Sequence, residues 1–158
     1  MEPAAQPAAA THPGPAEVAA AFYRALASDE FDAMTALYAP DVEFRDMVFA
    51  YQDRAGTMRM WRRLRAMAPR PARIVYTPGR ALGEVAHGSW TADYKVGLRA
   101  VHNELTCALT VRGGRIVVHH DSSDWKTWVA QAFPLGTLLG GERARAVISR
   151  AIRAVVDR

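Results

Sequence analysis

His119, Asp121 and Ser123 alternate along one strand-like run, with Glu104 and Thr106 on the run before it; their types are those that move protons. An imidazole and a carboxylate two residues apart on a strand share a face, and such a pair exchanges protons near neutral pH. Gly113-Gly114 brings the two runs together, since both positions of a two-residue hairpin loop tolerate φ > 0 when they are glycine. With Arg112 facing Arg115, opposed residue numbers sum to a constant, which sets Thr106 opposite Asp121, Ala108 opposite His119 and Glu104 opposite Ser123. One face then carries Glu104, Thr106, Val117, His119, Asp121 and Ser123; the other carries Asn103, Leu105, Cys107, Leu109, Ile116, Val118 and His120. The polar face of an antiparallel sheet usually meets water. A His/Asp/Thr/Ser cluster, in place of the Lys, Arg, Thr and Glu of a solvated strand, acts against that, so the residues alone leave a solvated face and a pocket lining both open.

The elements that must position these residues follow from periodicity. Val18, Phe22 and Leu26 mark a helix over 15–27, stopped at Ser28-Asp29, and a short helix runs from Phe31 to Tyr38 before Pro40. Residues 42–48 read as a strand. Residues 57–67 read as a helix with Met60, Trp61, Leu64 and Met67 inward, and Pro69 and Pro71 break it. Strands follow at 74–85, 87–96, 101–111 and 115–124. Helices first and a long antiparallel meander afterwards indicate an α+β domain whose helices cover one side of a curved sheet. Beyond Asp124, an apolar stretch from Trp125 to Leu139 leads through Gly140-Gly141 into an amphipathic helix striped by Ala144, Val147, Ile148, Ala151, Ile152 and Val155. The chain divides into a Pro/Ala leader (1–14), a main domain (15–135) and this C-terminal segment (136–158).

At 158 residues and net charge +4 the chain is large enough to enclose a pocket without disulfides. Its single cysteine, Cys107, falls in an apolar register and reads as a core residue. The leader has neither the basic cluster nor the apolar core of a signal peptide, and no segment reaches the roughly 20 apolar residues of a membrane span. A cytoplasmic protein with no membrane span is expected. The arginines of 54–70 and 143–158 lie on outer helix faces without aromatic stacking residues among them, so no nucleic-acid partner is expected. His102, Glu104, His119 and Asp121 contain ligand-type side chains, but His102 falls opposite Trp125, far along the hairpin from His119. No metal and no cofactor are expected.

Phe22-Tyr23-Arg24-Ala25-Leu26, Phe31-Asp32, Leu37-Tyr38-Ala39, Val42-Glu43-Phe44-Arg45-Asp46 and the closing Gly114–Asp121 run occur in an order that resembles the nuclear transport factor 2-like superfamily. That superfamily includes ketosteroid isomerase, limonene epoxide hydrolase and SnoaL-like polyketide cyclases. The resemblance covers about residues 17–133. It implies a cone of curved sheet and helices around a deep apolar cavity, with the polar hairpin face turned inward. It also implies a homodimer through the convex sheet face, covering Leu105, Cys107, Leu109 and Val118.

Carried over residue by residue, the isomerase pattern puts its general-base aspartate at Asp46. Its oxyanion-stabilising tyrosine falls at Phe22, beside Tyr23, and its protonated aspartate at or near Thr106, so both donors differ. Asp121 lies where epoxide hydrolases and SnoaL-like cyclases place an acid/base carboxylate. The hydrolases' Arg-x-Asp pair is absent, since Thr91 precedes Asp93 and Val101 follows Arg99. The resemblance thus implies a cofactor-independent enzyme acting on a small hydrophobic molecule, a cyclase or isomerase that removes a proton next to a carbonyl. Epoxide opening and non-catalytic ligand binding are the alternatives. Asp46, His119 and Asp121 are the catalytic candidates; Phe22, Tyr23, Trp61, Trp90, Tyr94, Glu104 and Thr106 are the substrate-binding ones.

Overall fold

In the computed structural model, which describes residues 12–68 and 72–158, Gly14 opens the first helix, α1 (Pro15–Ala27). Its amide donates to the Glu17 carboxylate at 3.0 Å, and Pro15 supplies a preset φ at the first helical position. Residues 1–11 of the expected leader lie outside the described residues. The chain continues through α2 (Phe31–Leu37), β1 (Tyr38–Arg45), β2 (Ala50–Tyr51) and α3 (Arg54–Met67). Then come β3 (Arg73–Leu82), β4 (Val85–Val96), β5 (Arg99–Arg112) and β6 (Arg115–Ser123). The C-terminal part comprises α4 (Trp125–Ala132), a 3-10 turn (Gly136–Leu139) and α5 (Glu142–Val156). Among the described residues no helix is long and apolar enough to cross a membrane.

The strands form one curved, unclosed sheet in the order β2-β1-β6-β5-β4-β3, a cone-like α+β fold. It is antiparallel except where β1 runs parallel to β6, a pairing that the meander pattern does not contain. β1 also begins four residues earlier than expected, with Pro40 inside it. The β1–β6 register shifts between Tyr38 and Glu43, so a residue without an N–H interrupts no ladder there. On the concave side α1 buries Val18, Phe22, Tyr23 and Leu26, and α3 buries Met58, Met60 and Trp61. The helix start at Arg54 is set by Asp53, whose carboxylate accepts from Gly56 N at 2.6 Å.

The largest correction concerns the β5–β6 hairpin. Arg112 faces Arg115 and Val111 faces Ile116, as the sum rule requires, with Gly113 and Gly114 both at positive φ. The register then slips by one residue, so that Thr110 faces Val118, Leu109 faces His119 and Cys107 faces Asp121. Val117 is the extra residue, a bulge that exchanges the two faces of β6 beyond it. Consequently Leu105, Cys107 and Leu109 point inward together with His119 and Asp121, and all five are buried. Glu104 and Thr106, expected beside them, lie on the exposed outer face. That face also presents Thr77, Ser89 and Ser122 to solvent. Of the apolar side chains invoked as a reason for dimeric cover, Leu105, Cys107 and Leu109 are therefore interior, and Val118, opposite Thr110, stays half-buried on the outer face.

The α5 stripe is also rotated from its expected position. Ser149 and Val156 are buried and Ile148 and Ile152 partly so, whereas Val147 and Val155 are exposed.

Candidate active site

Asp121 is held from three sides. Its Oδ1 accepts from the Tyr23 hydroxyl at 3.2 Å and from Trp90 Nε1 at 3.2 Å, with His119 Nε2 also at 3.2 Å. Each donor comes from a different element: α1, β4 and β6 itself. Tyr23 is oriented by stacking on Tyr76, at 4.5 Å between centroids and 12° between planes. Tyr76 can lie there because it crosses Gly88, where a Cβ would come within 2.7 Å of the ring.

His119 is fully buried and caged by Phe22 and Phe44, whose rings meet it edge-on at 5.1 and 5.2 Å. Its Nδ1 lies 2.6 Å from the Tyr38 hydroxyl, which itself accepts from Trp61 Nε1 at 3.2 Å. Among the described residues His119 Nδ1 is the one acceptor within reach of the buried Tyr38 O–H, so the Tyr38 proton is directed there. That puts the imidazole proton on Nε2, towards Asp121 and the Tyr23 oxygen at 3.1 Å. Burial pushes both phenols well above their ordinary range, and the nearby Asp121 charge adds to this, so both remain protonated. Burial likewise pushes the Cys107 thiol up to about 11, which keeps it from acting as a thiolate near neutral pH.

Asp46 stands at the end of β1, in the turn to β2. Its Oδ1 accepts from the backbone N–H groups of Val48 at 2.7 Å and Phe49 at 2.6 Å. It is thus a turn carboxylate, yet it also lines the same cavity as Asp121. Burial drives its carboxyl up to about 6; the two backbone donors oppose this, Asp121 adds to the rise, and His119 opposes it. Ser149 Oγ is the one buried side-chain polar atom without a partner among the described residues. The Oδ2 atoms of Asp46 and Asp121, which receive no donor there either, are therefore not sealed off. They leave an acceptor at two points on the wall.

The cavity holds about 400 Å³, the size of a small-molecule site. Trp61, Trp90 and Tyr94 line it, with Trp128 and Phe133 from the C-terminal stretch and Ile152 from α5. Tyr94 Oη accepts from Trp128 Nε1 at 2.6 Å, which leaves its own proton to donate elsewhere. Of the other candidates, Phe22, Tyr23 and His119 stand one layer behind this wall, while Glu104 and Thr106 are outside. Glu104 instead flanks His102, which pairs with Asp93 at 2.5 Å and reaches Glu104 at 3.4 Å on the solvent side. The four residues considered as metal ligands are therefore divided between the two faces of the sheet. Among the described residues no group of three or more His, Cys, Asp or Glu is placed to hold a metal ion.

Tyr38 was not among the candidates. It meets His119 across 81 residues of sequence, and no local pattern signals such a contact. Its place in the Leu37-Tyr38-Ala39 motif was the only available sign.

A concave sheet with two carboxylates inside defines a class, and comparison with known proteins gives the family. The chain belongs to the SnoaL-like domain family, whose model matches residues 19–119, within the nuclear transport factor 2-like fold. No curated protein matches it. Solved structures share its fold. A candidate polyketide cyclase from Pseudomonas putida is 17% identical with a TM-score of 0.66, over 75% of this chain and 98% of that one. IdmH, a candidate polyketide cyclase from Streptomyces antibioticus, is 22% identical with a TM-score of 0.62, over 74% and 96%. A protein of ketosteroid isomerase-like fold from Catenulispora acidiphila, crystallised with trimethylamine, is 20% identical with a TM-score of 0.64, over 77% and 94%.

Proposed function

We propose that this protein is a cofactor-independent acid/base enzyme that removes a proton next to a carbonyl of a small hydrophobic substrate and returns it elsewhere, as in an isomerisation or an aldol cyclisation. The observation that carries this reading is the pair of cavity-lining carboxylates, Asp46 and Asp121, each with Oδ1 anchored and Oδ2 free. Anchoring one oxygen fixes the direction of the other, which is the positioning that proton transfer requires.

Asp46 suits the removal step. A carboxyl at about 6 is ionised at neutral pH and is a stronger base than an ordinary carboxylate. Asp121 suits the return: it takes the proton from Asp46 across the shared cavity and hands it to the second position on the substrate, while Tyr23, Trp90 and His119 hold its Oδ1 in place. His119 is a positioning residue in this reading because it does not reach the cavity. The hydroxyl of Tyr94 is the donor for a substrate oxygen as negative charge develops on it, the role that the isomerase pattern leaves empty at Phe22 and Thr106. The SnoaL-like family membership and the neighbouring cyclase candidates support the same reaction class.

The test is α-proton exchange in deuterated buffer with a panel of hydrophobic 1,3-dicarbonyl compounds, followed by NMR. The wild-type protein accelerates exchange, and Asp46→Asn or Asp121→Asn lowers the rate about a hundredfold or more, the scale of a lost general acid or base. Binding of the panel with no acceleration by any of the three proteins would make the hollow a ligand-binding site instead.

A further inference from the structure

The C-terminal helix lies beyond the residues matched by the family model, yet it grips the loop that holds Asp46. Arg145 Nη2 donates to Met47 O at 3.4 Å, and Arg153 Nη1 donates to Val48 O at 2.9 Å. Asp157, at the end of α5, accepts from the Tyr51 hydroxyl at 2.5 Å. Arg145 is itself steadied over the Trp125 ring, at 5.8 Å from its centroid.

These contacts meet the Asp46 bonds in a specific way. Met47 C=O and Val48 N–H belong to one planar peptide unit, and Val48 C=O and Phe49 N–H belong to the next. Each unit therefore accepts an arginine at one end and donates to Asp46 Oδ1 at the other. A cationic donor on a carbonyl polarises the peptide and strengthens its N–H as a donor.

We propose that Arg145 and Arg153 are positioning residues for Asp46, acting through the 47–48 and 48–49 peptide units respectively, so that α5 fixes where the free Asp46 oxygen points. The catalytic consequence rests on the role given to Asp46 above; the geometric coupling does not.

The test follows the amide proton shifts of Val48 and Phe49 in the full-length protein across the titration of Asp46. Asp121 and His119 on β6 and Tyr51 on β2 also interact electrostatically with Asp46, so the comparison is made amide by amide within each variant. In the wild type both amides shift with Asp46. In Arg153→Met the Phe49 amplitude falls below half while Val48 keeps its own, and in Arg145→Met the pattern is reversed. Arg153→Lys, which still presents a cationic donor to one carbonyl, restores Phe49. Arg153→Gln and Arg145→Gln replace any Met variant that fails to fold.

Unchanged amplitudes in the arginine variants, or equal losses at both amides in each, would overturn the proposal. Amplitudes that follow the crossed pattern while Asp46→Asn leaves α-proton exchange unchanged would uphold the coupling and remove only the catalytic role.

Discussion

His119 Nε2 lies 3.2 Å from Asp121 Oδ1, but of the two side chains only Asp121 lines the cavity. The imidazole is enclosed by aromatic rings and joined to solvent-remote phenols, so its hydrogen bonds are set before any ligand enters. That division of labour, a reaching carboxylate and a supporting imidazole, is the feature from which the expected mutational effects follow.

Tyr38→Phe removes the donor to His119 Nδ1 and the acceptor of Trp61 Nε1 without changing the ring volume. Two buried polar groups lose a partner, and each costs about 1–3 kcal/mol when left unsatisfied. The expected outcome is a loss of roughly 2–4 kcal/mol in urea unfolding, with the fold retained. A loss below 0.5 kcal/mol would mean that the Trp61–Tyr38–His119 chain contributes nothing to stability.

Asp46→Asn gives a pH-dependent change with a definite sign. The folded carboxyl titrates at about 6 and the unfolded one near 3.8, so the unfolded state loses its proton first. Wild-type stability from this group therefore falls as pH rises from about 4 to 6 and is flat above, a loss of about 2–3 kcal/mol. Asparagine retains an acceptor for Val48 and Phe49 but cannot ionise. Its stability relative to wild type should accordingly improve between pH 4.5 and 7.5, as read by denaturant midpoints at each pH.

Gly88→Ala places a methyl where the Tyr76 ring now lies, at 2.7 Å. Tyr76 must shift, and Tyr23 loses its stacking partner. The substitution should lower Tm by several degrees and move the near-ultraviolet circular dichroism of the aromatic cluster. An unchanged spectrum would show that Gly88 is not required for the placement of Tyr23.

Much of the scaffold can be read directly from residue types. The apolar spacing of Val18, Phe22 and Leu26 predicts α1, and the alternation of Leu105, Cys107, Leu109 and Val111 predicts β5. What periodicity cannot supply is a change of register within a strand. In β6, Ile116, Val117 and Val118 are all apolar, so either parity satisfies the pattern, and counting from the Gly-Gly turn assumes an unbroken ladder. The bulge at Val117 shows only when both inner faces must meet one core: β5 turns Leu105, Cys107 and Leu109 inward, and His119 and Asp121 join them after a one-residue slip. Glu104 and Thr106 were misplaced by the same step. The parallel β1–β6 pair and the Tyr38–His119 bond depend on contacts distant in sequence, to which local patterns are blind. Asp46 was accessible through family resemblance alone, since its neighbours carry no chemical signal.

Deleting Val117 tests that account of the hairpin. Without the extra residue, the ladder from Arg112 and Arg115 runs unbroken with Val118 opposite Thr110 and His119 still opposite Leu109, so His119 and Asp121 keep facing inward. The variant should still unfold cooperatively, with His119 and Asp121 keeping their contacts to Tyr38, Tyr23 and Trp90. Loss of cooperative unfolding would show that the hairpin is not related to an unbroken ladder by one extra residue at Val117.

The most direct measurement is a carbon-13 titration of the Asp46 carboxyl in the unliganded protein. A dry hollow shared with Asp121 requires a midpoint near 6 that moves down in Asp121→Asn, because the neighbouring negative charge is then gone. A midpoint near 4, unaffected by Asp121→Asn, would place Asp46 in water and contradict the two-carboxylate site.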